Sequence, residues 1–183
     1  MTKRHRLGVT ICMMATAAMS TLQGSSAVRS ISDVDLTRYA GKWYEIARYP
    51  NRFQRQCVGD VTAEYSLEPG GRIRVVNQCR RADGTMDAAE GVAKRTPGAP
   101  DSQLKVRFAP AVLSFIPAVW GDYWIIGLAP DYSYAVVGDP SRKYLWILSR
   151  TPRLEGPSYD KALEIVKTNG FDPNRLERTK QQP

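Results

Sequence analysis

Histidine is almost missing from this chain: the single one, His5, stands at the extreme N-terminus. There is no glycine-rich phosphate loop and no cluster of residues with metal-ligand spacing. Phosphoryl transfer, imidazole acid–base catalysis and a zinc centre therefore lack their usual sequence carriers. Without histidine, a haem iron would depend on Tyr or Met as axial ligand, a poor basis for specific haem binding. Cysteine is sparse as well, three residues in 183. The apolar run from Val9 to Met19 is too short and too early to serve as a membrane span of the mature protein.

What that run does resemble is the middle of an export signal. Lys3, Arg4, His5 and Arg6 precede it, and Ser25-Ser26-Ala27 follows with the small residues that a signal peptidase requires. Cleavage is expected after Ala27, with Ser20 as another possible site, which makes 1–27 a secretory signal and 28–183 one domain. Cys12 lies inside the apolar run, after Thr10-Ile11, whereas a lipid anchor needs a cysteine after small residues at its end. No lipid anchor is expected. The mature part keeps 156 of the 183 residues, enough for one sizeable core. It loses three of the 26 Lys and Arg and none of the 18 Asp and Glu, so 23 positive charges face 18 negative ones, a net +5. Such a balance suits anionic membranes or nucleic acid, but the charges are scattered, as on an ordinary solvated surface.

The organising stretch is Gly41 to Tyr49, GKWYEIARY. Asp35 to Tyr39 suits one helical turn, Gly41 stands where a side chain would clash, and bulky residues then favour a strand. Trp43 suits either the plug of one barrel end or an ordinary core position. Val58 to Ser66 and Arg72 to Asn77 read as a hairpin around Pro69-Gly70-Gly71. Folding it back brings Cys57 near Cys79, which in an exported protein suits a disulfide; two free thiols are the competing reading. Further strands are expected over Thr85 to Lys94, Gln103 to Phe108, Tyr123 to Ala129, Tyr134 to Gly138 and Tyr144 to Ser149. Short connections favour antiparallel neighbours, and eight strands suit an up-and-down barrel.

In YWIIGLA and YLWILS both alternating faces are apolar, which demands a cover outside the sheet. A helix from about Tyr159 to Thr168, capped by Ser158 and ended by Gly170, supplies it through Tyr159, Ala162, Leu163 and Val166. The tail from Arg175 to Pro183 is polar and reads as loose, with Leu176 suited to a short final strand. Ala109 to Gly121, APAVLSFIPAVWG, has no clean period yet carries Leu113, Phe115, Ile116 and Trp120. If the hairpin turn near Gly70 marks one barrel end, this loop belongs to the other, with the loops around 50–57, 80–84 and 139–141. It is the expected ligand entrance. Inward candidates are Ile73, Val75, Leu104, Val106 and Phe108, with Met86 and Val92 nearby, the latter two on a face shared with Ala88 and Glu90. Glu45, Glu64 and Glu90 form no convincing acid–base pair and read as solvent-facing or rim charges.

These motifs resemble the lipocalins, in particular the bacterial outer-membrane lipocalin and apolipoprotein D group. Gly41-Lys42-Trp43-Tyr44-Glu45-Ile46 is similar to the first family signature, Asp131-Tyr132 with YAVVGDP to the second, and Tyr144 to Pro152, YLWILSRTP, to the third. The resemblance covers about Val34 to Phe171. It implies an all-β, eight-stranded antiparallel barrel with a C-terminal helix outside, and Arg150 lying across Trp43 at the closed end. It further implies a non-enzymatic binder of fatty acid or lysophospholipid, for storage or transport in the cell envelope. Other outcomes it leaves open are a tetrapyrrole or retinoid carrier and a structural envelope protein with a filled barrel. No cofactor and no nucleic-acid partner are expected; peripheral membrane contact and a monomer or homodimer are. Bacterial relatives are typically anchored lipoproteins, so the absence of a suitable cysteine points to the periplasm, with outer-membrane association left open. The 109–121 loop is longer and more apolar than the family usually carries, which suits a lid, a membrane-docking lip or a self-association surface.

Overall fold

The computed structural model describes residues 27–182. The expected signal segment, with Cys12 and the two cleavage sites at Ser20 and Ala27, lies outside the described residues apart from Ala27. Val28 is already buried.

A single helical turn, α1 (Leu36–Tyr39), leads into β1 (Gly41–Arg48), and seven more strands follow: β2 (Cys57–Leu67), β3 (Ile73–Arg81), β4 (Met86–Arg95), β5 (Gln103–Arg107), β6 (Gly121–Leu128), β7 (Tyr134–Gly138) and β8 (Leu145–Ser149). Each pairs antiparallel with the next, and β1 pairs with both β8 and β2, which closes the eight strands into an up-and-down barrel. Helix α2 (Pro157–Thr168) packs outside. Its N-cap is Gly156 at φ 59 with Pro157 in the first helical position, so the expected Ser158 cap lies two residues too late, inside the helix. Proline's fixed φ and missing N–H suit that first position.

The two-faced apolar strands separate two cores. Trp43, Tyr65, Ile73, Val75, Leu104, Ile125, Ala135, Val137 and Leu148 fill the barrel interior. Ile126, Val136, Leu145 and Ile147 face outward, where Ala162, Val166 and Phe171 cover them. Alternation along β6 to β8 thus feeds both sides of one sheet, the cover that YWIIGLA and YLWILS demand.

The barrel seam differs from a simple ladder. β1 meets β2 only from Gly41 to Tyr44, and above that point the register of β2 breaks around Asp60, which adopts φ 52. The C-terminal tail fills the resulting gap. β9 (Glu177–Arg178) pairs with Ala47 and Arg48. The Thr179 N–H then donates to the Ile46 carbonyl at 2.9 Å, and the Asp60 N–H donates to the Lys180 carbonyl at 2.8 Å. Gln181 Nε2 bridges the carbonyls of Glu45 and Val61, at 2.8 Å each. The tail is therefore part of the wall, contrary to its loose reading. Its polar side chains disguise a segment held through backbone groups that the broken register leaves unpaired.

Candidate ligand-binding calyx

The closed end is built from α1 and the start of β1. Asp35 caps α1 by accepting from the Thr37 N–H at 2.8 Å, which fixes the turn whose last carbonyls point at β1. Trp43 is fully buried, and its Nε1–H donates to the Tyr39 carbonyl at 2.8 Å. The Arg150 guanidinium lies 3.8 Å from the Trp43 ring centroid and donates to the carbonyls of Lys42 (2.9 Å), Arg38 (2.7 Å) and Tyr39 (3.1 Å). One cation thereby satisfies three backbone acceptors and covers an aromatic face. Gly41, at φ 90, sits against this guanidinium: a Cβ there would lie 3.4 Å from Arg150 Nη1, in a backbone conformation that side chains resist.

Above Trp43 three tyrosines converge. Tyr123 Oη lies 2.7 Å from Tyr39 Oη and 2.8 Å from Tyr65 Oη. Burial pushes all three phenols up, Tyr65 to about 12 and the others well above their ordinary value, so they stay neutral donors. Ile73, Val75 and Leu104 are buried in this closed half.

At mid-height the interior turns polar. Glu45 is 3 % exposed, not at the rim as expected. Its carboxylate accepts from Gln54 Nε2 at 2.6 Å and Thr179 Oγ1 at 2.5 Å, with Arg48 Nε 3.7 Å away. Burial raises its pKa, against the opposing effect of the Thr179 and Gln54 hydrogen bonds and the Arg48 charge. Gln54 reaches in from the loop between β1 and β2, and its Oε1 also accepts from Trp146 Nε1 at 3.2 Å. That loop is tied to β3 by the Cys57–Cys79 disulfide, whose Cα atoms are 5.5 Å apart.

The upper half is open on one side. β4 runs for ten residues but pairs with the five-residue β5 only from Val92 to Arg95, so its upper half has no register partner on that flank. Inward positions of β4, opposite Asn77, Val75 and Ile73, are Ala89, Gly91 and Ala93. These residues are small, and at Gly91 the space is taken by Phe108, whose ring a Cβ there would meet at 2.7 Å. Val106 is half-buried on the inner face, and Phe108 stands at the rim, 42 % exposed.

Two expected lining residues are elsewhere. Val92 pairs with Arg74 and Arg107, and Met86 with Arg80, on the outward face, and Met86 is 57 % exposed. The larger apolar residues of β4 pointed the reading to the wrong face, because the inward face carries small ones. In the rim loop Val112 and Phe115 are 75 % and 77 % exposed, whereas Leu113 and Ile116 are half-buried. Trp120 is not at the entrance. Its Nε1–H donates to the Ser114 carbonyl, and its ring packs under Lys94 (4.1 Å) and Arg107 (5.2 Å) on the outer wall. A cleft of about 180 Å³ lies beside the seam, lined by Arg48, Val61 and the tail rather than by the calyx floor.

Sequence reasoning missed the three tyrosines, Gln54, Ala89, Gly91 and Trp146. Alternation through Ala63-Glu64-Tyr65 and Tyr123-Trp124-Ile125 carries a signal for two of them; no local pattern announces the others.

Residues 34–181 match the family model described as a lipocalin-like domain. Temperature-induced lipocalin-1 of Arabidopsis thaliana is 42 % identical over 153 residues, 82 % of this chain and 81 % of that protein. An outer membrane lipoprotein of Vibrio cholerae is 41 % identical over 157 residues, 85 % of this chain and 87 % of its own length. Among solved structures, insecticyanin from the tobacco hornworm Manduca sexta superposes with a TM-score of 0.66 at 25 % identity, covering 85 % of each chain. With the closed barrel, the Trp43–Arg150 floor and the outer helix, these matches show that the chain belongs to the lipocalin family, whose members bind small hydrophobic ligands.

Proposed function

We propose that this protein binds the acyl chain of a fatty acid or lysophospholipid in its calyx and stores or carries it within the bacterial cell envelope. The observation that carries the reading is the asymmetry of the barrel: a dry, filled floor beneath an open upper half bounded by Ala89, Gly91, Val106 and Phe108. An acyl chain drawn onto that lining leaves water at about 0.8 kcal/mol per methylene. Entry runs past the low wall at β5, beside Leu113, Phe115 and Ile116. Phe115, Val112 and Phe53, exposed at 77 %, 75 % and 56 %, give the rim an apolar lip for peripheral contact with a membrane.

The chemistry of binding without catalysis is supported by two features. Both mature cysteines are joined to each other, which leaves no free thiol among the described residues, and the buried Glu45 carboxylate is held by Gln54 and Thr179. Export to the periplasm without a lipid anchor is supported by the N-terminal sequence, and an envelope setting by the likeness to an outer membrane lipoprotein. The described residues contain no helix long and apolar enough to cross a membrane.

Native mass spectrometry of residues 28–183, isolated from the periplasm without detergent, tests the reading. A stoichiometric fatty acid or lysophospholipid is the expected mass increment. A coloured adduct instead identifies a tetrapyrrole or retinoid carrier. An empty barrel that also refuses offered lipids overturns the proposal in favour of a filled structural one.

A further inference from the structure

Counting protons at the tyrosine cluster leaves one over. Three hydroxyls supply three protons, and the two oxygen–oxygen contacts through Tyr123 use two of them. Among the described residues none of the three hydroxyls has a further hydrogen-bond partner. A buried donor left unpaired is unfavourable, and a cluster built this way is completed by an acceptor from outside. Position identifies the direction from which that acceptor comes. Tyr39 and Tyr65 are 2 % and 6 % exposed, sealed against Trp43. Tyr123 is the least buried of the three, and because its side chain faces the barrel interior, the calyx is the side from which an acceptor reaches it. With Tyr39 and Tyr65 both donating to Tyr123 Oη, the third proton is the one that Tyr123 presents upward.

We propose that Tyr123, supported by Tyr39 and Tyr65, is a specificity subsite at the calyx floor that takes one neutral acceptor oxygen, a carbonyl, at the end of the ligand that enters first. The neighbouring groups favour neutral oxygen over a carboxylate. The cations at the closed end have other partners: Arg150 is spent on the Trp43 ring and three carbonyls beneath it, and Arg38 lies over the Tyr132 ring and donates to the Pro130 carbonyl. An ionised head group would leave water for phenols alone, an unfavourable exchange. Preferred ligands are therefore chains that carry a carbonyl near the end remote from their head group. This inference rests on the reading that the calyx holds an acyl chain.

The test compares dodecanoic, tetradecanoic and hexadecanoic acids with analogues bearing a ketone one carbon from the methyl end. The head group is common to each pair, so the affinity ratio within a pair isolates the floor. Wild-type protein is expected to bind the ketone of one chain length at least as tightly as the plain acid. Tyr123→Phe is expected to weaken that ketone about tenfold relative to the plain acid. Tyr49→Phe removes a tyrosine hydrogen bond in the outer core, that to the Asp172 carbonyl, without touching the calyx, so it keeps the preference and serves as the control for lost stability. Infrared spectroscopy of the bound ketone, labelled at its carbonyl carbon, adds a readout on wild-type protein: the stretch moves to lower frequency on hydrogen bonding. Equal ratios in wild type and Tyr123→Phe at every length, with no such move, overturn the subsite while leaving the carrier reading intact. Failure of the wild type to bind any of the acids overturns both.

Discussion

The two ends of this barrel are made by different rules. At the floor the aromatic side chains have assigned partners: Trp43 has Arg150 on its face and the Tyr39 carbonyl on its edge, and the tyrosines share their hydroxyls. At the mouth, Phe115 and Val112 stand mostly in solvent and the β4–β5 wall stops short. One end spends its residues on a single packed arrangement, and the other leaves apolar surface without a partner. The difference teaches where stability and binding reside: the floor holds the fold together, and the mouth keeps it open to ligands.

Breaking the floor should have the largest effect. Trp43→Ala removes a fully buried ring and the seat of the Arg150 cation. It is expected to destabilise the protein by about 3–5 kcal/mol, measured by urea unfolding. A loss below about 1 kcal/mol would mean that the closed end is not what holds the barrel. Next comes the mouth's one covalent tie. Replacing Cys57 and Cys79 by serine frees a loop with a sequence separation of 22 and should cost about 2–4 kcal/mol by the same measurement. A cost equal to that of Trp43→Ala would erase the contrast between the ends.

The smallest effect sharpens the boundary between them. Glu45 has its pKa raised by burial above the ordinary 4.5, so the folded state holds its proton more tightly than the unfolded chain. Its contribution is therefore greatest below 4.5 and declines as pH rises through the folded-state value. Against Glu45→Gln, the wild type should lose relative stability as pH climbs from about 4.5 toward neutrality, read as a difference of unfolding curves. Parallel curves would show that Gln54, Thr179 and Arg48 fully offset the burial.

Most of the architecture was legible because alternation reports which faces are dry. Leu104-Lys105-Val106 sets one strand, and the two-sided apolar strands announce the outer helix before it is reached. The Cys57–Cys79 pairing follows from folding back one hairpin. The site was less legible, for three physical reasons. Room inside a barrel is made by small residues, so Ala89 and Gly91 mark the cavity face of β4 while Met86 and Val92 misdirect. Burial of Glu45 depends on Gln54 and Thr179, the latter 134 residues away, which no local pattern encodes. The tyrosine cluster joins positions 39, 65 and 123, from one helical turn and two strands.

The tail in the seam sets the order of events in making the protein. The Ile46 carbonyl and the Asp60 N–H, near the beginning of the domain, pair with Thr179 and Lys180. A ribosome delivers those residues only after β1 to β8 and helix α2. Strands β2 to β8 are able to pair with their neighbours as they emerge, yet the flank between β1 and β2 above Tyr44 stays unstitched until Thr179 and Lys180 are present. Sealing of that last gap in the wall is thus distinct from the pairing of β1 with β2 and β8, and waits for the tail beyond helix α2.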